Sequence, residues 1–265
     1  MNIQLFGFSP ADGRLIINLF KMSIRDRYLG SALGLVWAVL NPLLLLGMYT
    51  FIFGFVFKAK IPGAETTFAF AIWLISGMVP YLALSEALNA AASSVISGAG
   101  MVKNVVFKSE ALPYAAALTA IVPFAVGMIF LFILLLVDGN YPTWHVLAIF
   151  PLMILQFAFF CGIALFLSAT SVFIRDIIQA LSTVIMLWMF FTPIFYTKEM
   201  LPGIIQKITF LNPLHQITQP YRDIILYHRL PDLGGLIYLA ILALLLNVFG
   251  LKYFRKLKGY FEMKL

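Results

Sequence analysis

The residues best suited to chemistry in this sequence are the basic side chains just before its first long apolar run. Arg25 and Arg27 flank Asp26, and Lys21 lies one helical turn before Arg25. Arginine binds phosphate oxygens through two parallel hydrogen bonds and keeps its charge. Basic residues at such a junction also hold a membrane-spanning helix at the headgroup level. The cluster predicts contact with phosphate groups, either of ordinary lipids or of an anionic lipid-linked ligand.

Other kinds of reactive site are not indicated by the residue pattern. His145, His215 and His228 are far apart in the sequence, and Cys161 stands alone in an apolar stretch, so neither a metal site nor a disulfide is predicted. No glycine is followed directly by lysine, which excludes a P-loop for ATP. We therefore expect no catalytic site, metal or cofactor in this chain, and we expect any ATP and Mg²⁺ to bind a separate protein.

The composition excludes an ordinary soluble domain. Hydrophobic residues make up 62% of the 265 residues, charged residues make up 11%, and the mean hydropathy is +0.98. The net charge of +7 comes from short basic patches between apolar runs, a pattern that argues against nucleic-acid binding. The sequence predicts an all-α polytopic membrane protein with one transmembrane domain over residues 1–265.

Six apolar segments meet or approach the ~20 residues that a membrane-spanning helix requires. The predicted spans are residues 33–57, 68–96, 111–137, 144–174, 177–197 and 233–254. Twelve of the 18 Lys and Arg residues fall on the side of the N-terminus, so both termini are predicted in the cytoplasm.

Residues 1–29 are predicted to form an amphipathic helix at the membrane surface and the basic join to the first span. Ser9 is suited to the N-cap, Pro10 to the first helical position and Asp12 to the first turn. Arg14, Lys21 and Arg25 lie on one face, and apolar residues lie on the other. The alternative, a surface helix of a soluble protein, needs a soluble core that the sequence does not provide.

Two connecting segments have features beyond those of simple loops. In the cytoplasmic loop 98–113, Met101, Val102, Val105 and Val106 can share one face of a short helix. That helix is either a passive interfacial element or a contact for a cytoplasmic partner. On the other side, residues 199–230 contain two apolar pieces, Gly203–Leu211 and Leu214–Tyr227, that are too short to span. We predict two re-entrant helices there, with a surface hairpin as the alternative.

Aromatic residues and one acidic residue mark the spans themselves. Trp188, Phe191, Phe195 and Tyr196 surround Pro193 in the fifth span. They form either a sugar-binding surface, on which aromatic faces stack against sugar rings, or an ordinary apolar core and interface belt. Glu86, near the end of the second span, faces either an aqueous interior or the headgroups.

Several motifs in this order resemble the polysaccharide-exporting branch of the ABC-2 type permeases. The motifs are Arg25–Tyr28 with 33–37 and Asn41-Pro42, 102–107 before Ala111-Leu112-Pro113, 171–176, 191–196, 211–214 and Arg222. The resemblance covers essentially the whole chain. One departure follows Phe107, where Lys108-Ser109-Glu110 stands in place of the family's usual proline and basic residue.

The resemblance implies a homodimer bound to two copies of a cytoplasmic ATPase in the bacterial inner (plasma) membrane. The substrate is then O-antigen, capsular polysaccharide or teichoic acid, commonly attached to a polyprenyl pyrophosphate. Arg25, Arg27 and Lys21 are expected to recruit the pyrophosphate to a gate between the first and fifth spans, unless they serve only as lipid anchors and ATPase contacts.

The same resemblance gives three further groups of site residues. The residues expected to line the glycan channel are Trp37, Tyr49, Trp188, Phe191, Phe195 and Tyr196. Those expected to couple to the ATPase are Lys103, Asn104, Val106, Phe107 and Arg14. The extracytoplasmic gate is expected to contain Asn212, Pro213 and Arg222.

Three other functions fit parts of the pattern. An ABC-2 exporter of a small molecule or lipid shares the predicted topology but does not need an aromatic channel. A polytopic enzyme of glycan or lipid assembly needs acidic or histidine clusters near the membrane surface, which the sequence lacks. A proton-coupled transporter needs charged residues within the spans, where only Glu86 qualifies.

Overall fold

The computed structural model describes residues 9–28, 32–34, 36–57 and 67–265, and all regular structure in these ranges is helical. The α-helices are α1 (Pro10–Tyr28), α2 (Val36–Thr50), α3 (Thr67–Ser97), α4 (Ala99–Asn104), α5 (Ala111–Leu118), α6 (Ile121–Val137), α7 (Ile149–Ser171), α8 (Asp176–Phe190), α9 (Gly203–Thr209), α10 (Pro213–Ile225) and α11 (Leu233–Lys258). A π-helical turn, Phe51–Val56, continues α2, and 3-10 turns cover Trp144–Ala148 and Lys198–Met200.

Five helical segments in the described chain are long and apolar enough to cross a membrane, as expected for a multi-pass membrane protein. They are Val36–Phe53, Ala69–Ser97, Ala111–Val137, Trp144–Ser171 and Leu233–Lys258. The apolar helix α8 is shorter, with 15 residues. The sixth span and the orientation of the chain stay predictions.

Helix α3 lies at the centre of the molecule. It packs against α2, α5, α6, α7, α8 and α10, and its residues 70–81 are all buried. A helix that is apolar around its whole circumference belongs in the interior of a bundle. Its 31 residues extend about 46 Å at about 1.5 Å per residue. We call the molecule's two ends the α10 end, near Trp73, and the α4 end, near Ser97.

Helices α7 and α11 pack closely because glycine occupies their contact. A Cβ atom at Gly162 would lie 2.6 Å from the Cβ of Leu246, and one at Gly250 would lie 3.0 Å from the carbonyl oxygen of Gly162. Small residues allow the backbones of membrane helices to approach in this way. The last span is therefore fixed against the fourth, and α11 extends to Lys258, four residues beyond the predicted end.

Helix α1 begins at Pro10, as the sequence predicts. The Asp12 carboxylate accepts hydrogen bonds from the Ser9 amide at 2.6 Å and from the Ser9 hydroxyl at 2.8 Å. Leu19 is buried beside Ala111 and Ala115 of α5, so the apolar face of α1 packs on the protein. The predicted position of α1 at the membrane surface stays a prediction.

Prolines and a glycine change the predicted limits of two spans and interrupt a third, which keeps its predicted limits of 111–137. The fifth was predicted through residue 197, but α8 ends at Phe190, before Pro193, whose missing amide cannot continue the helical bonding. Two turn residues before Pro123 separate α5 from α6 for the same reason. A turn containing Gly34, at φ +51°, delays α2 until Val36; Leu35 lies outside the described residues.

The short helices of the two connecting segments are present with altered limits. Helix α4 ends at Asn104, and Val105 has extended backbone, so the predicted common face for Met101, Val102, Val105 and Val106 is wrong. Met101 and Val102 pack on the protein, whereas Val105 and Val106 are exposed. At the α10 end, α9 is largely exposed and α10 is almost wholly buried. Re-entry of α9 and α10 into a membrane stays a prediction.

Candidate functional site

A groove of about 590 Å³ with both polar and apolar walls lies near the α4 end, between the end of α1, the start of α2, α3 and the α5–α6 break. Its polar lining includes Arg27, Asn41, Glu86, Asn89, Ser93 and Ser97, and we call it the Arg27 groove. Arg27 Nη1 donates a hydrogen bond to Glu86 Oε1, which joins the end of α1 to α3. The groove lining therefore combines one arginine with two carboxylates, those of Asp26 and Glu86, and with hydroxyl and amide groups along the wall.

The three predicted phosphate-binding residues separate in the structure. Arg27 lines the groove, but Arg25 and Lys21 are exposed on α1 and are not part of the groove lining. Trp37 also lines the groove, whereas the other predicted channel aromatics do not. Glu86 is at the level of Arg27, close to the end of α1.

Polar residues recur every four positions along α3, and three of the four form one wall of the groove. They are Ser85, Asn89, Ser93 and Ser97, of which the last three line the groove. The Asn89 amide donates to the Ser85 carbonyl at 2.8 Å, and the Asn89 side-chain oxygen accepts from the Ser182 hydroxyl of α8 at 3.0 Å. Spacing by four residues places these groups on one helix face, where they offer hydrogen bonds inside an apolar bundle.

The predicted channel aromatics fall into different environments. Tyr49 and Phe195 lie in one cluster, with ring centroids 5.9 Å apart, and Phe53 and Phe190 complete it. The Tyr196 hydroxyl donates to the Phe190 carbonyl at 2.7 Å. Phe191 is 76% exposed. The structure thus brings together the end of α2 and the segment after α8 through tilted ring contacts.

Arg222 fastens α10 to the segment that follows α8. Its guanidinium donates to the carbonyl oxygens of Pro193 at 2.6 Å and Ile194 at 3.1 Å, and it lies 3.7 Å from the ring centre of Trp73. Only 1% of Arg222 is exposed. A Cβ atom on Gly77 would lie 2.6 Å from Nη2, so the glycine makes room for the arginine head. Desolvation of this charge is offset by the carbonyls and the indole face.

Asn212 makes a second link at the α10 end. Its side-chain oxygen caps α10 through the Leu214 amide at 3.1 Å and accepts from Trp188 Nε1 at 2.9 Å. Its amide donates to Thr192 Oγ1 at 2.9 Å, and Pro213 takes the first helical position of α10. Asn212 and Arg222 therefore both attach α10 to the end of α8.

Charged pairs join the helices at the α4 end. Lys108 Nζ lies 2.6 Å from Asp12 of α1, while Glu110 accepts from Arg255 at 3.0 Å and from Lys258 at 3.4 Å, both on α11. The hydrogen bond from Lys108, with those from Ser9, lowers the pKa of Asp12 to about 2. Burial raises the pKa of Glu110, but its own amide and the α11 cations outweigh this and lower it. The segment that departs from the family pattern thus connects α1, α5 and α11.

The predicted coupling residues surround these pairs. Lys103, Asn104 and Arg14 are exposed, and Val106 is fully exposed. Phe107 packs beside Leu112 in the apolar cluster that also holds Leu19 of α1. Outside this cluster, Lys103 and Val106 belong to an exposed surface around α4 that is both basic and apolar.

Residues 14–226 match the ABC-2 type transporter family. The chain belongs to this family.

Relatives of known name extend over most of this ABC-2 chain. The chain is 29% identical to the O-antigen export system permease protein RfbA of Myxococcus xanthus over 88% of each chain. It is 29% identical to an RfbA protein of Klebsiella pneumoniae over 93% of each chain. It is 23% identical to the polysialic acid transport protein KpsM of Escherichia coli, over 89% of this chain and 91% of that protein.

The ABC-2 match contains the predicted site residues from Arg14 to Arg222. Within the described ranges, no group of three or more His, Cys, Asp and Glu side chains is placed to hold a metal ion. The sequence reasoning missed two features: the polar wall of α3 and the ion pairs of Lys108 and Glu110. Spacing by four from Ser85 to Ser97 could have revealed the wall, whereas no local pattern links Glu110 to Arg255.

Proposed function

We propose that this chain is the permease subunit of an ATP-driven exporter of a lipid-linked polysaccharide. The observation that carries the proposal is its similarity, over about nine-tenths of the chain, to O-antigen export permeases. O-antigen is the first expected cargo, and capsular polysaccharide or teichoic acid is the next. Two copies of the chain form the channel in a bacterial inner membrane, with both termini and the α4 end in the cytoplasm.

A separate cytoplasmic ATPase, in two copies, supplies the energy and holds ATP and Mg²⁺. The surface around α4 suits this partner because Lys103 and Val106 are exposed beside residues that are tied to the transmembrane core. Movement of α4 is passed to α1 through Lys108 and to α11 through Glu110. No catalytic residue is assigned to this chain.

The Arg27 groove receives the pyrophosphate end of the substrate. Arg27 supplies a bidentate phosphate contact, and the hydroxyl and amide groups of α3 supply hydrogen bonds to the first sugars. Arg25 and Lys21 lie outside the groove on the same helix and attract anionic headgroups to its entrance. Aromatic residues of α2 and α8 then guide the glycan toward Asn212, Pro213 and Arg222 at the extracytoplasmic gate.

The test is export of a lipid-linked polysaccharide by membrane vesicles that contain the chain and its ATPase. Arg27→Ala is expected to lower export at least about tenfold, the loss for one strong phosphate contact of about 1.4 kcal/mol. Arg25→Ala is the matched control, since it removes an arginine from the same helix without altering the groove, and its loss should be smaller. A fall in complex assembly equal to the fall in export would show that Arg27 acts in assembly alone.

The ATPase contact is tested separately with Val106→Asp. Because Val106 is fully exposed, the substitution should leave the thermal stability of the isolated chain unchanged. Co-purification of the ATPase and its stimulation by substrate should both decrease. Retention of both would exclude the α4 surface as the contact.

A further inference from the structure

We propose that Glu86 is a displaceable counter-ion for Arg27. Glu86 pairs with Arg27 until a phosphate group of the substrate takes the place of the carboxylate. This inference rests on the proposed function, in which the groove receives a pyrophosphate. It adds a residue that limits how tightly the groove holds phosphate groups. Glu86 is a positioning residue here, because it acts through Arg27.

The placement of the two side chains supports exchange. Glu86 lies in α3, where its side chain is 18% exposed, while the Arg27 side chain at the end of α1 is 50% exposed. They are separated by 59 residues in sequence, and both line the Arg27 groove. The arginine can therefore turn toward an incoming ligand while the carboxylate stays in the groove wall.

Electrostatics predict that the Arg27–Glu86 pair weakens the binding of phosphate groups. An acidic group within an apolar helix is stabilised by an opposite charge, so the resting state favours the pair. A phosphate ligand must open the pair before it can use both donors of Arg27. The same competition applies to anionic phospholipids, which are abundant in the membrane, so Glu86 keeps the groove from being filled by them. After the substrate leaves the groove, Glu86 pairs with Arg27 again.

The experiment measures equilibrium binding and dissociation of a polyprenyl pyrophosphate by the full-length protein in phosphatidylethanolamine nanodiscs. Glu86→Gln should tighten binding about fivefold, the factor expected for a partly exposed ion pair, and should slow dissociation. Phosphatidylglycerol, measured in parallel, should gain affinity by a similar factor. Glu199→Gln is the matched control, because it removes one exposed carboxylate at the α10 end and should change nothing.

A double-mutant cycle identifies the mechanism. Arg27→Gln should weaken binding, and Glu86→Gln should give no further gain in that background. An equal gain in both backgrounds would mean that Glu86 repels the ligand directly and would overturn the proposal. Weaker or unchanged binding in Glu86→Gln alone would also overturn it. If Glu86→Gln does not fold, Glu86→Asp shortens the carboxylate and should give a smaller gain in the same direction.

Failure of the proposed function has a different signature. If Arg27→Gln binds the polyprenyl pyrophosphate as well as the unaltered protein does, the groove is not the pyrophosphate site. If Arg27→Gln loses binding while Glu86→Gln leaves it unchanged, the site stands and the counter-ion role is wrong.

Discussion

The two ends of the molecule are fastened by different interactions. At the α10 end, Arg222 is almost completely buried and donates to main-chain carbonyls, so its partners cannot move without the backbone. At the α4 end, Lys108 and Arg255 keep 39% and 45% of their side chains exposed while they pair with carboxylates. Ion pairs with an exposed cation are weaker and more sensitive to salt than a fully buried contact, although the Asp12 and Glu110 carboxylates are themselves only 14% and 5% exposed. The α10 end is built to keep one geometry, and the α4 end is built from contacts that can exchange.

The strongest test of this contrast removes the buried arginine. Arg222→Gln should destabilise the protein by about 2–5 kcal/mol, because two carbonyls lose their donor and Trp73 loses the cation above its ring. The measurement is the free energy of unfolding in detergent micelles. Arg229→Gln is the control at the same end, since its side chain is 63% exposed, and should cost under about 1 kcal/mol. Equal effects of the two substitutions would remove the distinction between the ends.

The space around Arg222 gives a second test with a smaller effect. Gly77→Ala places a Cβ atom 2.6 Å from Nη2 and should cost about 1–3 kcal/mol through displacement of the guanidinium. Gly47→Ala in α2 is the matched control, because its Cβ would meet nothing within 4 Å. That control should be neutral or stabilising by up to about 1 kcal/mol. In the Arg222→Gln background the cost of Gly77→Ala should shrink, and persistence of the full cost would place the clash elsewhere.

At the α4 end, Glu110→Gln should cost about 1–2 kcal/mol near neutral pH, because the ion pairs of Glu110 with Arg255 and Lys258 are lost. Since folding lowers the pKa of Glu110, this stabilisation is present above its ordinary pKa of 4.5 and is lost as the pH falls through the lowered value. Unfolding measured against pH should show the two proteins converging in acid. Added salt should also reduce the difference, whereas it should leave the cost of Arg222→Gln nearly unchanged.

Much of the fold was predictable because apolar length and helix caps are local signals. Ser9, Pro10 and Asp12 marked the start of α1, and the limits of α3 were predicted within one residue. The fifth span was overextended because its aromatic residues continue past Phe190, while Pro193 ends the regular bonding earlier. Apolar content alone does not show where a helix stops.

The candidate site was less predictable because its contacts are long-range. The sequence indicated Arg27 but did not pair it with Glu86, and it placed Trp37 among the channel aromatics although it lines the groove. Lys108 and Glu110 depart from the family pattern, and their sequence neighbours do not indicate what they contact. Their partners Asp12 and Arg255 are 96 and 145 residues away, beyond any local spacing rule.

The smallest expected effect concerns the link between α1 and the coupling segment. Asp12→Asn keeps a side-chain oxygen that can accept from the Ser9 amide but removes the charge that holds Lys108. Because only one ion pair is lost, it should destabilise the protein less than Glu110→Gln does. The Asp12 pKa of about 2 means that its contribution is present above the ordinary value of 3.8 and disappears as the pH falls toward 2. Because α1 also packs on α5 through Leu19, its helix content should survive the substitution. Hydrogen exchange of the α1 amides is the direct measurement. If Lys108 holds α1 in place, exchange should be faster in Asp12→Asn at neutral pH, and the difference should shrink as the pH falls toward 2. Equal exchange at neutral pH would mean that apolar packing alone positions α1, and the α4 end would then be less dependent on charge than the ion pairs indicate.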